Sequence, residues 1–450
     1  MKIGTELTED GWRILVKGRA YSMGYPGEVW RRCPEGLRRR LLRNLAPLKT
    51  LHLERFLQES EFDYDTAAPD FLFPLYNSLL KMVPFCAERD GLPAADMVRN
   101  FLNIDMRFAT DGIAAEPVAC RLEAGAVLSM SFGKDSLLTY AMARELGLET
   151  TLVISSEPSA PLERAHKLRI ADAFSRETGT PVWRIENDTA DLHEAGHWGS
   201  GASEWGIFHQ MSELLLLLIP FAVDEGRRYI VFGNEKSCDD FYFTNDGYRA
   251  FPVYDQSSEW VAEQRKMAAG LVRGLDVFSL IEPIHEIAII RVLHQRYPRL
   301  AKYQMSCFPD EKGGEDGHYW CQSCSKCART YIYMLANDLD PASIGFNRDL
   351  LSAGNERLYS LFSGADAVGY DASMCNRDEQ LLAFLLAYEL GRRGAVMSLF
   401  EEHHLAEALR RREELWREYM GIHPFVNTPE WLRPGLTEIY QAHGLTVVAA

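Results

Sequence analysis

Apolar residues return along this chain at two different periods, and the change from one to the other marks out its elements. Trp12–Tyr21 alternates with period two and predicts a strand or hairpin. Leu37, Leu41, Leu42 and Leu45 give the strongly basic stretch Arg31–Asn44 one apolar helical face, and Leu72, Leu75, Leu79, Leu80, Met82 and Val83 make Pro69–Arg99 read as helical. From residue 125 strands and helices alternate. Ala126–Met130 is an apolar run, the mark of a buried strand. Leu137, Leu138, Met142 and Leu146 then fall at helical spacing, and Gly147 closes the helix. Thr150–Ser155, Pro181–Ile185, Arg228–Phe232 and Val277–Pro283 read as further strands. Pro161–Thr178, Met211–Val223 and His285–His294 read as helices, with Ser257 or Ser258 and Glu259 set to cap another. Beyond about residue 340 the pattern is helical, over Glu379–Leu390, Ala395–Arg417 and Pro434–His443.

This order predicts an α/β protein with a parallel sheet and helices on both faces. The expected divisions are an N-terminal α+β domain over residues 1–120, the α/β domain over 121–335 and a C-terminal helical region over 336–450. Ligands of such sheets bind beyond the carboxyl ends of the strands. The turn Ser131-Phe132-Gly133-Lys134-Asp135-Ser136 lies at one such end, Ile154-Ser155 at a second, and Gly233-Asn234-Glu235 at a third.

Composition narrows the function classes. The 450 residues carry a net charge of −16, which argues against a broad basic surface for nucleic acid. The N-terminus has no apolar signal region, and the longest apolar run, Leu214–Val223, is too short to span a bilayer, so no membrane partner is expected and a cytoplasmic enzyme is. Nine cysteines in such a chain suggest thiols, metal ligation or chemistry rather than a disulfide framework. Nothing in the sequence speaks to oligomeric state.

The chemistry sits in four places. A strand, a turn with glycine and a helix start present backbone N–H groups and a helix dipole to an anion. Ser131 and Ser136 add hydroxyls, Lys134 a positive charge, and Asp135 a carboxylate that suits magnesium. Phe132 cannot easily take the positive φ that a glycine would take there. The polar, aromatic stretch Asn187–Gln210, with His193, His197 and His209, reads as a loop over a substrate. Cys321, Cys324 and Cys327 are spaced CxxCxxC, and with Cys307 would make a four-thiolate structural zinc site. The alternatives are reduced thiols at a helix start, or an iron–sulfur cluster, whose known spacings differ. Cys375 sits alone between elements.

The turn matches Ser131, Gly133, Asp135 and Ser136 of the SGGxDS loop and so resembles the ATP pyrophosphatases (PP-loop superfamily, adenine nucleotide alpha hydrolase-like), with Phe132 where that family has its first glycine. Three stretches together resemble a narrower group: the Gly133-Lys134-Asp135-Ser136 loop, the Phe232–Asp239 tip and the Trp320–Cys327 run. They look like the ATP-dependent UDP-N-acetylmuramoyl-L-alanyl-L-glutamate epimerases of peptidoglycan synthesis, over roughly residues 125–330. Cys238-Asp239-Asp240 departs from that pattern.

The resemblance implies ATP and magnesium, a UDP-MurNAc-dipeptide substrate, and an acyl adenylate that makes the glutamate α-proton removable. It places Ser131, Phe132, Gly133, Lys134, Asp135, Ser136, Ile154, Ser155, Gly233 and Asn234 around the nucleotide, with Asp135 at magnesium. Lys134, Asp135, Glu235, His209 and Cys375 are the candidates for catalysis. Two alternatives stay open: another adenylating enzyme of the same superfamily, forming nitriles, amides or thio-compounds on a purine-like base or tRNA, and a protein that binds ATP without turnover.

Overall fold

The computed structural model describes residues 1–112, 115–157, 161–202, 210–305, 320–363 and 376–448. Ten strands form one mixed, mostly parallel sheet: β1 (Lys2–Leu7), β2 (Gly11–Val16), β3 (Arg19–Gly24), β4 (Glu61–Ala67), β5 (Asp105–Thr110), β6 (Glu123–Ser129), β7 (Glu149–Ser156), β8 (Val182–Asn187), β9 (Arg227–Phe232) and β10 (Asp276–Ser279). Their order across the sheet is β10-β9-β6-β7-β8-β3-β2-β1-β4-β5.

The half from β10 to β8 is entirely parallel. Its first strand in the chain, β6, lies in the middle. The chain winds outward through β7 to β8, then returns to the other side of β6 for β9 and β10. The connections leaving β6 and β9 therefore diverge, and the carboxyl ends of those two strands form the switch point, where sheets of this kind have their ligand crevice.

Strand residues divide cleanly between the faces. Ala126 and Leu128 of β6 join a core with the helices Lys134–Glu145, Pro161–Thr178 and Glu286–Arg296. Val127 joins the opposite core with Gln210–Asp224 and Ser258–Leu271. That period-two division is what a strand with both faces covered requires, and it explains why Ala126, Val127 and Leu128 are all apolar.

The antiparallel meander β1–β3 continues the same sheet. Met23 pairs with Asn187 and Gly24 with Glu186 across the β3–β8 junction. β4 and β5 then add in parallel beyond β1; neither was expected from the sequence. The stretch read as helical over Pro69–Arg99 is two helices, Leu72–Arg89 and Ala94–Leu102. Gly91, at φ +70°, and Pro93 supply the break. Ala395–Arg417 is likewise two helices, Ala395–His403 and Leu405–Tyr419, separated at His404, whose φ is −127° and whose ring packs against Phe362.

Part of the basic stretch turns inward, while Arg31, Arg32 and Arg39 stay exposed. Arg40 and Arg43 pair with Asp70, and Asn44 donates to the same carboxylate. The C-terminal helix Arg377–Glu389 packs on Ser325–Ala336 and Leu405–Tyr419 and completes the core that contains β6. Among the described residues no helix is long and apolar enough to cross a membrane.

Candidate active site

The crevice between β6 and β9 is lined by the loops that follow those two strands. After β6, Met130 is buried and Ser131 is exposed. Phe132 takes φ +59° with its ring wholly buried, edge-on to Phe174 at 5.6 Å between centroids. The sequence argued against this conformation. The left-handed backbone costs a non-glycine residue about 1–2 kcal/mol. Burying a phenylalanine ring returns about 1.5–3 kcal/mol, enough to offset it. The Phe132 carbonyl also accepts the Met305 N–H at 2.8 Å, which fixes the turn.

Gly133, in extended conformation, precedes the helix Lys134–Glu145, which has no side-chain cap. The first N–H groups of that helix therefore face the crevice without an intrahelical partner. Ser131 Oγ accepts the Gly133 N–H at 3.3 Å and lies 3.3 Å from Ser136 Oγ, which donates to the Gly133 carbonyl at 3.1 Å.

The loop after β9 comes against this turn. A Cβ on Gly233 would lie 2.9 Å from Asp135 Cβ and 3.1 Å from the Asp135 carbonyl carbon, so only glycine permits the approach. Asn234 is buried with its Nδ2 unpartnered, while its carbonyl accepts Ser279 Oγ at 2.7 Å. Asp135 Oδ1 is also buried and unpartnered, whereas Oδ2 pairs with Lys134 Nζ at 2.9 Å. Glu235 Oε2 accepts the Ser237 N–H at 2.6 Å, capping the short turn Lys236–Asp239, and Glu235 Oε1 lies 3.9 Å from Cys238 Sγ.

Three further helices bring charges that the sequence reading had not singled out. Glu286 lies 3.3 Å from Lys134 Nζ and 3.2 Å from Arg329 Nε. Glu379 Oε1 accepts the Ile287 N–H at 2.8 Å. Burial would push the Lys134 ammonium down, but Asp135 and Glu286 together hold it above the ordinary lysine range. Burial likewise works against the Glu286 carboxylate, and Arg329 with Lys134 keeps it below the usual range. Burial raises Asp135, and raises Glu235 far above a normal carboxyl, with Glu286 and Glu379 adding to the effect. Burial and then Glu286 push Glu379 up to about 8. The site thus brings together Lys134, Arg329, Glu286 and carboxyls that burial pushes up, with a carboxyl oxygen of Asp135 and the Asn234 amide N–H lacking partners. Such a set suits a phosphate group together with a divalent cation.

The other predicted residues fall as follows. Ile154 is buried in the core below the crevice. Ser155 Oγ accepts from Asn187 Nδ2 at 3.1 Å and reaches Glu157 Oε1 at 3.5 Å. Cys321 and Cys324 each lie 3.6 Å from Cys327 sulfur to sulfur, and the Gln322 N–H points to Cys327 Sγ at 3.3 Å. A tetrahedron of zinc–sulfur bonds of about 2.3 Å has edges of about 3.8 Å, so the three thiols fit zinc. They stand at the start of the helix Ser325–Ala336, which carries Arg329 to Glu286. His193 is buried, stacked on His52 at 4.2 Å and 3.7 Å from Glu213, and His197 Nε2 lies 2.8 Å from the Tyr21 hydroxyl. His209, Cys307 and Cys375 lie outside the described residues.

The fold is an open α/β sheet with a cluster of charged side chains at its switch point. No protein-family model matches this chain. It is similar to a UDP-N-acetyl-alpha-D-muramoyl-L-alanyl-L-glutamate epimerase of Xanthomonas oryzae pv. oryzae (strain MAFF 311018), at 27% identity over 256 residues, covering 55% of this chain and 51% of that protein. The chain thus spans about half the length of this relative.

Proposed function

We propose that this protein is an ATP-dependent epimerase of the PP-loop type that converts the terminal L-glutamate of UDP-MurNAc-L-Ala-L-Glu to D-glutamate. The observation that carries the reading is the junction of the two loops, where Gly233 lets Asn234 come beside Asp135 and Lys134 at an uncapped helix start. The similarity to the Xanthomonas epimerase supplies the substrate.

In this reading Ser131, Gly133, Ser136 and the first helical N–H groups hold phosphate oxygens, and Lys134 balances charge on the departing pyrophosphate. Asp135 Oδ1 and Asn234 Nδ2, buried without partners, are the groups for magnesium and for a phosphate oxygen respectively. ATP supplies AMP to the glutamate carboxylate with release of pyrophosphate; the acyl adenylate has lost the carboxylate charge, and water later frees AMP. Without that charge the α-carbanion delocalises into the neighbouring carbonyl, so a weak base suffices. Glu235, whose carboxyl burial and then Glu286 push up, is the proton donor to one face of that carbon. His209 and Cys375 are the candidates for the opposite face.

The test is pyrophosphate release from ATP and magnesium on addition of UDP-MurNAc-L-Ala-L-Glu. Asp135→Asn should abolish release while the thermal midpoint moves little. Unchanged turnover in that variant would remove the β6 loop from the mechanism.

A further inference from the structure

Beside the crevice, and separate from the three cysteines, a second group of ligating side chains converges. His285 immediately precedes the helix Glu286–Arg296 and is 2% exposed. Its Nδ1 lies 3.0 Å from Ser237 Oγ. Its Nε2 is buried without a hydrogen-bond partner, and Glu418 Oε1 stands 3.4 Å from it. The His423 ring faces it with 5.2 Å between centroids and 77° between planes. His423 Nε2 lies 2.8 Å from the Glu418 carbonyl and 3.7 Å from Glu418 Oε1. One donor atom from each of His285, Glu418 and His423 lies within 4.8 Å of the others.

We propose that His285, Glu418 and His423 form a site for a single divalent transition-metal ion, zinc by its donor set. Two imidazoles and one carboxylate are an established zinc combination that leaves a coordination position open. Glu418 is half exposed, which gives that position access to water. The Ser237 contact at Nδ1 is the outer hydrogen bond that a ligating histidine carries, orienting the ring and leaving Nε2 to the ion. A buried imidazole nitrogen without a partner is costly unless something occupies it.

The two segments that supply the ligands are fastened together independently of any ion. The His423 N–H donates to the Pro283 carbonyl at 2.8 Å. The Glu282 carboxylate accepts N–H groups from Val426 at 2.9 Å and Thr428 at 2.8 Å, and the Thr428 hydroxyl at 2.7 Å. Closure around the ion asks only for a side-chain adjustment of Glu418 and for ligation by His423 through Nδ1, or through Nε2 after it leaves the Glu418 carbonyl. The ion would brace the turn Lys236–Asp239, because Ser237 touches both His285 and Glu235.

The experiment uses the full chain, stripped with a chelator and titrated with cobalt(II), with zinc content measured in parallel. Cobalt bound by the cysteines shows thiolate charge-transfer absorption; cobalt bound by nitrogen and oxygen shows ligand-field bands alone. The proposal expects the wild type to bind one equivalent of the second kind, still present in Cys324→Ser and lost in His423→Ala. Glu418→Ala, a change at a half-exposed helical position, should keep the fold and weaken this equivalent at least tenfold, and it decides the matter if His423→Ala does not fold. Equal cobalt affinity at the nitrogen–oxygen site in the wild type and Glu418→Ala, or a wild type whose bound cobalt is all of the thiolate kind, would overturn it. The readout is metal binding, so the result is independent of the epimerase reading.

Discussion

Replacing Gly233 by alanine places one methyl group where the loop after β9 meets the loop after β6. Gly233 does not sit in the left-handed region, so its backbone accepts alanine without strain. At an open position with such a backbone the change would stabilise by about 0.4–1 kcal/mol, through a less flexible unfolded chain. Here the new carbon would lie 2.9 Å from Asp135 Cβ, 3.1 Å from its carbonyl carbon and 3.3 Å from its carbonyl oxygen. Comfortable carbon contacts begin at about 3.5 Å, so the two loops must separate by roughly half an ångström or more. Overpacking of this kind costs about 1–3 kcal/mol, which outweighs the entropic gain and leaves a net loss of about 1–2 kcal/mol. Activity should fall further than stability. Displacing a group that acts on the reacting atoms by about 1 Å costs on the order of 100-fold in rate. Thermal unfolding and substrate-dependent pyrophosphate release, measured on the same preparation, separate the two effects. A variant more stable than the wild type with undiminished turnover would refute the contact between the loops and the site built on it.

Other changes test individual parts. Glu379 is held at about 8 against an ordinary value of 4.5, so its contribution to stability is intact below about pH 4.5 and is lost as pH rises through 8. Glu379→Gln keeps an acceptor for the Ile287 N–H and removes the titration, so the variant should gain on the wild type between pH 5 and pH 9 by on the order of 4 kcal/mol, read as diverging unfolding midpoints. A gap that does not change with pH would contradict the raised titration of the buried Glu379 carboxyl. Phe132→Gly relieves about 1–2 kcal/mol of left-handed strain but removes a buried ring at a cost of about 3–5 kcal/mol, so denaturant titration should show a net loss of about 2–3 kcal/mol. A variant as stable as the wild type would mean that the ring does not anchor the turn.

Local features were the legible ones. Strand β6, its turn and the helix Lys134–Glu145 follow from an apolar run, a glycine and a change of period within about twenty residues, and they stand where the pattern put them. The Ser257 cap, which accepts the Trp260 N–H at 3.2 Å, was equally local. The joining of β3 to β8 through Met23 and Asn187 was not, because register between strands so far apart in the chain leaves no mark on either. The same holds for the site. Glu286, Arg329 and Glu379 come from three separate helices, and each alone is an unremarkable charge near a helix start. Glu286 had one readable signal, its place directly after His285 at a helix N-terminus. Glu379 was readable only as a carboxylate leading an otherwise apolar helix. Phe132 shows tertiary burial overriding a backbone preference that the sequence alone could not weigh against it.

The central claim is that this crevice adenylates a glutamate and inverts its α-carbon. Incubating the protein with ATP, magnesium and UDP-MurNAc-L-Ala-L-Glu in deuterated water tests it most directly. The account predicts pyrophosphate release that requires the dipeptide substrate, deuterium at the glutamate α-carbon, and D-glutamate on hydrolysis of the product. A folded protein that releases no pyrophosphate with this substrate and leaves its α-proton in place would contradict it.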